Sequence, residues 1–504
     1  MIRKRGRCSV TITKGPSKSM MRLLLVCIGM AAALFAVTSG NPISLAPLLL
    51  FIALLMTTVV AKRSNPDQDI LLGFLILSLL IDDISQVAWG RTVDTWTEAL
   101  GAILFKSVGI TGMEAFAIVF TLWIIMRMLR GSFRTWYRLG FVKVVIVGSA
   151  VFAASLIAGL FGVMDGGSIN TMFIQVRFLH CLPLWVIIGF AVWRDRDFSS
   201  RVLKWITISI CVKSLQALFV YFTHYNQFKT VEEYLVDHYF SGFSVVTLLC
   251  LGYYVFVQKR WLGRAALVAL AGAVALAYVL NDRRTSYVGV AFAVAIFPCL
   301  LPLGVIKRYL WSGVAAGAAL VLFTLFTWTL PPPLGFIGST YRSFGNETGR
   351  EEPSYRDLEN ANLFHAVTES PVTGIGYGKE FTEIFPLPDI SVVYERYKMI
   401  PHNMFLAAWA FGGPLTIGAL SMLFAVMIGA AGSLFKVARE PRVFLLGLSS
   451  LFFFMQYLTY TFGDLGFQIQ RNQMLAGLML GACFRIRGEL MKEQDFRTGE
   501  IGWH

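Results

Sequence analysis

The feature that most constrains this chain is the recurrence of apolar runs about as long as a bilayer is thick. A hydrocarbon core of roughly 30 Å takes about 20 apolar residues per helix, and backbone polar groups inside lipid must be satisfied within the segment. Such runs occur at 20–39, 43–61, 70–88, 107–126, 144–163, 171–193, 205–223, 242–257, 265–280, 286–304, 309–330, 402–430, 443–462 and 472–486. The runs at 242–257 and 472–486 are short and suit a tilted or partly interfacial helix. Only 15% of the 504 residues are charged, against about 25% in soluble domains. The 41 Phe and 12 Trp exclude a disordered chain. The expected fold is all-α, a polytopic transmembrane helical bundle of about 12–14 spans with a large, partly helical loop on its outer side.

A net charge of +14 could suggest nucleic acid, but the placement of the charges argues otherwise. Fourteen spans put both termini on one side. With that side cytoplasmic, it holds 30 of the 44 Lys and Arg and only nine of the 30 Asp and Glu. This is the positive-inside pattern; the excess is a topology signal, and no nucleic-acid partner is expected. Arg127, Arg130, Arg134 and Arg138, interleaved with Trp136 and Tyr137, form a juxtamembrane patch suited to anionic membrane lipid. The basic N-terminus reads as the anchor of an uncleaved first helix in preference to a signal peptide. The seven cysteines include no CxxC pair and imply no disulfide framework. With no HExxH, DxD or carboxylate-rich loop, neither a metal site nor any other cofactor is implied.

Two outer connections exceed turn length, at 224–241 and 331–401. Long connections of this kind commonly carry function. In the second, Leu358 to Val367 has helical spacing and Glu369-Ser370-Pro371 ends the element. Gly374, Gly376 and Gly378 then permit a tight turn or close backbone approach to a ligand. Arg283, Arg284, Arg342, Arg350 and Arg356 break the inside rule, and a guanidinium fork suits phosphate oxygens. The alternative is local pairing with Asp282, Glu351 or Asp357. His402, after Pro401, is the natural proton acceptor or else a helix-start cap. Within spans lie Arg177 with His180, Lys213 with Gln216, Asp82 with Asp83, and Glu114. Intramembrane ionisable groups are functional candidates or fix packing by pairing with one another.

Three segments, in this order, resemble the O-antigen ligase and O-antigen polymerase superfamily of integral membrane glycosyltransferases. Arg284-Thr285-Ser286-Tyr287 resembles its Arg-small-small-aromatic segment. Arg356, a helical stretch and Pro371-Val372-Thr373-Gly374-Ile375-Gly376 resemble its loop segment ending in Pro-x-x-Gly-x-Gly. Pro401-His402-Asn403 ahead of Gly413 resembles its His-Asn motif. The resemblance covers roughly 265–480. Asn360 stands where the family often has an aromatic, and Thr416 where the ligase motif has Gly, which favours polymerase over ligase.

The resemblance divides the chain into an N-terminal bundle (1–264), a ligase/polymerase-like region (265–486) holding the periplasmic loop 331–401, and a cytoplasmic tail (487–504). It implies a multi-pass enzyme of the bacterial inner membrane with both termini cytoplasmic. The donor is a polyprenyl-diphosphate-linked glycan and the acceptor another glycan or lipid A–core; other polysaccharide-assembly proteins are further expected partners. Arg284, Arg356 and His402 are the implied catalytic groups. Arg283, Arg342, Asn403, Gly374, Gly376, Arg177 and His180 are the expected substrate contacts. A secondary transporter is the alternative class. It requires an inverted repeat and Gly- or Pro-broken spans in both halves, and the sequence displays neither.

Overall fold

A computed structural model of the chain describes residues 66–80, 103–105, 110–130, 140–223, 236, 239–281, 283–301, 354–389, 398–438, 440–467 and 469–498. The expected spans at 20–39, 43–61 and 309–330 lie outside these residues. The described part is a helical bundle. Its helices are α1 (Pro66–Leu80), α2 (Gly112–Arg130), α3 (Phe141–Met164), α4 (Ile169–Val176), α5 (Cys181–Val192), α6 (Arg196–Thr223), α7 (Tyr239–Val257), α8 (Trp261–Leu280), α9 (Arg284–Leu300), α10 (Tyr355–Glu369), α11 (Met404–Val437), α12 (Pro441–Gly463) and α13 (Gln470–Thr498). A short antiparallel pair, Ile103–Phe105 with Ile110–Thr111, precedes α2.

Among the described residues, eight helical stretches are long and apolar enough to cross a membrane, including Ile169–Val192, which combines α4 and α5. They fall on the runs read from the sequence, and α9 is a shorter apolar helix in its expected place. Large apolar side chains such as Leu160, Phe161, Phe219 and Phe256 remain exposed on the bundle's outside, as expected where the solvent is lipid. The centre is apolar all round its helices. Helix α5 is buried on nearly every face and crosses α13 at small residues. A Cβ on Gly189 would lie 2.5 Å from the Leu478 carbonyl oxygen, and one on Gly481 would lie 2.4 Å from the Phe190 nitrogen. Close backbone approach is how helices gain dispersion contact when apolar burial no longer separates protein from solvent.

The two ends of the bundle differ chemically. At one end Asp67 pairs with Arg127 and Arg194, Arg201 with Asp69, Arg196 with Glu440 and Glu493, and Arg442 with Asp197. Charges assigned to one side from the sequence therefore meet one another. The other end carries the C-terminus of α3, the start of α9, the loop helix α10 and the C-terminus of α12.

Among the described residues two spans are broken, and neither break was read from the sequence. Between α4 and α5 the backbone tightens into a 3₁₀ turn, Arg177–His180, with Pro183 shortly after. Helix α11 is interrupted at Gly413, which has φ 62° and ψ −164° and precedes Pro414. The cause of the second break is visible. A Cβ on Gly413 would lie 2.4 Å from the carbonyl oxygen of Val372, so the loop passes against helix backbone there.

A cluster of arginines and a histidine at the loop end

The candidate site forms where the start of α9, the end of α12, helix α10 and the start of α11 converge. Helix α9 is fixed to α12 by buried amide chemistry. The Gln456 amide donates to the Ser286 carbonyl at 2.6 Å, and the Ser286 hydroxyl donates to Gln456 Oε1 at 2.6 Å. At the top of the same contact, a Cβ on Gly463 would meet the Thr285 methyl at 2.9 Å. This register places Arg283, the N-cap of α9, beside Asp464, the residue that ends α12. Arg283 Nη1 lies 3.8 Å from Asp464 Oδ2, with both side chains buried. Arg284 begins α9 and is half-buried.

Helix α10 brings the loop to this point. Ser354 and Asp357 form a reciprocal capping box that starts it, the arrangement that satisfies two orphan N–H groups at once. Buried Asn362 then ties it down, donating to the Phe385 carbonyl at 2.8 Å and accepting the N–H groups of Ile384 and Phe385 at 3.0 and 2.9 Å. Arg356, on the first turn, donates to the Gly463 carbonyl at 2.8 Å, and its Nη2 lies 3.5 Å from Asp464 Oδ1. One buried carboxylate thus stands between two guanidinium groups from segments far apart in sequence. The local partner suggested by sequence, Asp357, is used in the cap instead; Asp282 and Glu351 lie outside the described residues.

Three residues after Arg356, Glu359 faces the start of α11. It accepts the His402 backbone N–H at 3.0 Å, and both its oxygens lie 3.2 Å from His402 Nδ1. Residues three apart on a helix are neighbours, about 5–6 Å between Cβ atoms. Helix α10 therefore holds the arginine cluster and the imidazole side by side. The Tyr355 ring meets the imidazole edge-on at 5.8 Å. Asn403 is the N-cap of α11, its oxygen accepting the Leu406 N–H at 3.1 Å, so its side chain is engaged in starting the helix.

The glycine turn serves packing. Gly374, Gly376 and Gly378 all have positive φ, but the backbone they approach is protein. The Gly374 N–H donates to Ser370, Ile375 to Ala410, and Gly376 to Phe411 at 3.0 Å. Gly378 N–H donates to Gln175 Oε1 at 2.6 Å, while the Gln175 amide donates to the carbonyls of Lys379 and Met399. Gln175 thereby clamps the turn and the approach to His402 onto α4. At the edge of this contact Lys379 pairs with Asp165, and its hydrogen bond holds the Asp165 carboxyl below its ordinary value.

The remaining sequence candidates are elsewhere or outside view. Arg342 and Arg350 lie outside the described residues, as do Asp82 and Asp83. The backbone of Arg177 is in the 3₁₀ turn, and its side chain is outside those residues. His180 Nε2 lies 3.7 Å from Glu114 Oε1 and 3.8 Å from Cys181 Sγ, and Glu114 accepts the Thr111 N–H at 2.7 Å. The sequence implied no metal cluster, yet one donor atom from each of Glu114, His180 and Cys181 falls within 4.8 Å of the others. On α6, Lys213 is buried and Gln216 exposed.

Glu359, Asp464 and Gln175 were not singled out from sequence. Glu359 carried a signal, being a carboxylate one turn beyond Arg356 on a helical segment. Asp464, just past an apolar run, and Gln175, inside one, carried none. Comparison of the chain with models of protein families and with curated proteins returns no match in either case.

Proposed function

We propose that this chain is a membrane glycosyltransferase that polymerises polyprenyl-diphosphate-linked oligosaccharide units at the outer face of the bacterial inner membrane. The observation that carries the reading is the convergence of Arg283 and Arg356 on Asp464, with Arg284 next in chain to Arg283, and of Glu359, one turn along α10 from Arg356, on His402. Arg283 and Arg356 share one carboxylate, Asp464, at the end of an apolar bundle. That chemistry suits a diphosphate whose lipid tail lies in the membrane.

In this reading the acceptor hydroxyl oxygen attacks the anomeric carbon. The bond from that carbon to the diphosphate oxygen breaks, and its electron pair leaves with the diphosphate. Arg284 and Arg356 stabilise the charge gathering there, Arg283 supports them, and His402 takes the hydroxyl proton.

The test is product formation by the purified full chain from a polyprenyl-diphosphate-linked glycan. Arg284→Ala, Arg356→Ala and His402→Ala should each reduce product at least about a hundredfold while the protein still inserts and purifies. Near-normal product from all three removes the assignment. Polymer identifies the acceptor as another lipid-linked glycan; transfer only to added lipid A–core identifies a ligase.

A second reading, a transporter, gains from the broken spans α4–α5 and α11. The α11 break is accounted for by the docked loop at Val372, which leaves, among the described residues, the turn at Arg177–His180 in its favour. Uptake of glycan lipid into proteoliposomes without covalent product would decide for it.

A further inference from the structure

We propose that Glu359 is the positioning residue for His402, fixing which ring nitrogen carries the proton and leaving Nε2 to receive it from the acceptor. The inference rests on the glycosyl-transfer reading above. The Glu359 side chain is 1% exposed and that of His402 is 16% exposed. Both carboxylate oxygens are directed at this one residue, Oε2 accepting the backbone N–H at 3.0 Å and each oxygen lying 3.2 Å from Nδ1.

An ionised carboxylate can only accept. At these distances Nδ1 therefore carries the hydrogen, and in the neutral ring Nε2 holds the lone pair. Attachment through the main chain and through the ring fixes the histidine at two points. Tyr355, edge-on to the ring at 5.8 Å, limits its rotation. A buried carboxylate is also a costly way to satisfy a single backbone N–H, since desolvating the charge is unfavourable unless it is well paired. A serine or asparagine could cap that N–H without the charge. The pairing with the ring gives the carboxylate a purpose that capping does not.

The step then balances. The acceptor oxygen bonds to the anomeric carbon, the bond to the diphosphate oxygen breaks with its pair on the diphosphate, and the hydroxyl proton moves to His402 Nε2. The resulting imidazolium keeps its Nδ1–H toward the Glu359 carboxylate, whose charge offsets it. The logic is that of a base oriented by a third group.

Two measurements on the full chain in nanodiscs separate this inference from the reading beneath it. The first needs no activity. Ring ¹⁵N spectra of the six histidines, with His402 assigned by its loss in His402→Asn, should show Nδ1 protonated and Nε2 bare at about pH 8, where a free imidazole is neutral. The opposite tautomer overturns the inference whether or not any variant is active.

The second is kinetic, with a polyprenyl-diphosphate-linked glycan as donor. An inactive wild type removes the glycosyl-transfer reading and leaves the tautomer result standing. With an active wild type, Glu359→Gln should lower kcat about 10²- to 10³-fold while donor KM changes less than about threefold. Glu359→Asp, which keeps the charge, should recover about tenfold of that loss. Wild-type kcat in Glu359→Gln, or a loss confined to KM, overturns the inference.

Discussion

Gly376 lies against Gly162 so closely that a Cβ on Gly376 would fall 2.2 Å from the Gly162 Cα. The loop turn, with φ +83° at Gly376, is pressed onto the C-terminal part of α3. An alanine at 376 meets two penalties, a left-handed backbone costing about 1–3 kcal/mol and overpacking of similar size. Gly376→Ala should lower the thermal midpoint of the detergent-solubilised protein by several degrees and expose the loop to limited proteolysis. Gly429→Ala, facing open space on α11, should leave both unchanged.

Asp464 is the shared partner of Arg283 and Arg356. Removing one member of a buried pair typically costs about 3–5 kcal/mol. Arg283 sets that scale, because Arg356 is 46% exposed and its part of the interaction is screened by solvent. Asp464→Asn is nearly isosteric and should destabilise the protein measurably by chemical denaturation. It should also reduce glycan product, since both guanidinium groups lose the charge that orients them. A stable, fully active Asp464→Asn would show that the arginines are placed without it.

Arg356 reaches a carbonyl and a carboxylate with two different nitrogens, Nη1 on Gly463 and Nη2 on Asp464. A lysine ammonium is a single point donor on a flexible stem and cannot hold that fork. Arg356→Lys should therefore behave nearly as Arg356→Ala in the product assay, within about threefold. Restoration by lysine would mean that position 356 supplies charge alone.

Two side-chain contacts of different kinds add to the backbone packing of the loop on α3 and α4. Gln175 is buried and makes three hydrogen bonds, so Gln175→Ala strands buried groups at about 1–3 kcal/mol each. The Asp165–Lys379 pair is exposed at Asp165, whose folded pKa is depressed by Lys379. A depressed carboxyl contributes its stability above the unfolded value and loses it as pH falls through the folded value. The contact is thus intact from about pH 5 to 8. Thermal midpoints of wild type and Lys379→Ala should run parallel over that range and differ little, whereas Gln175→Ala should be displaced downward throughout.

The positions of the eight spans found among the described residues, and the loop helix, were legible in the sequence because their causes are local. A run of apolar residues reports its own solvent, and the helical spacing of Leu358 to Val367 and the stop at Glu369-Ser370-Pro371 lie within the segment itself, although the cap at Ser354 was not read. The candidates Arg283, Arg284 and Arg356 were also visible there, as basic residues on the outer side, and His402 as the start of an apolar run. The sequence could not say what each of them faces. The partners of Arg356 are 107 and 108 positions away, at Gly463 and Asp464, and Glu359 meets His402 across 43. The same is true of the glycines, whose close approach proved to be to Gly162 and Phe411. The breaks at Arg177–His180 and Gly413 escaped a hydropathy reading because they leave the apolar run uninterrupted. Burial in lipid is a property of each segment and can be read from composition along the chain. Pairing of charges and the crossing of backbones are properties of packed helices, and only the tertiary structure decides them.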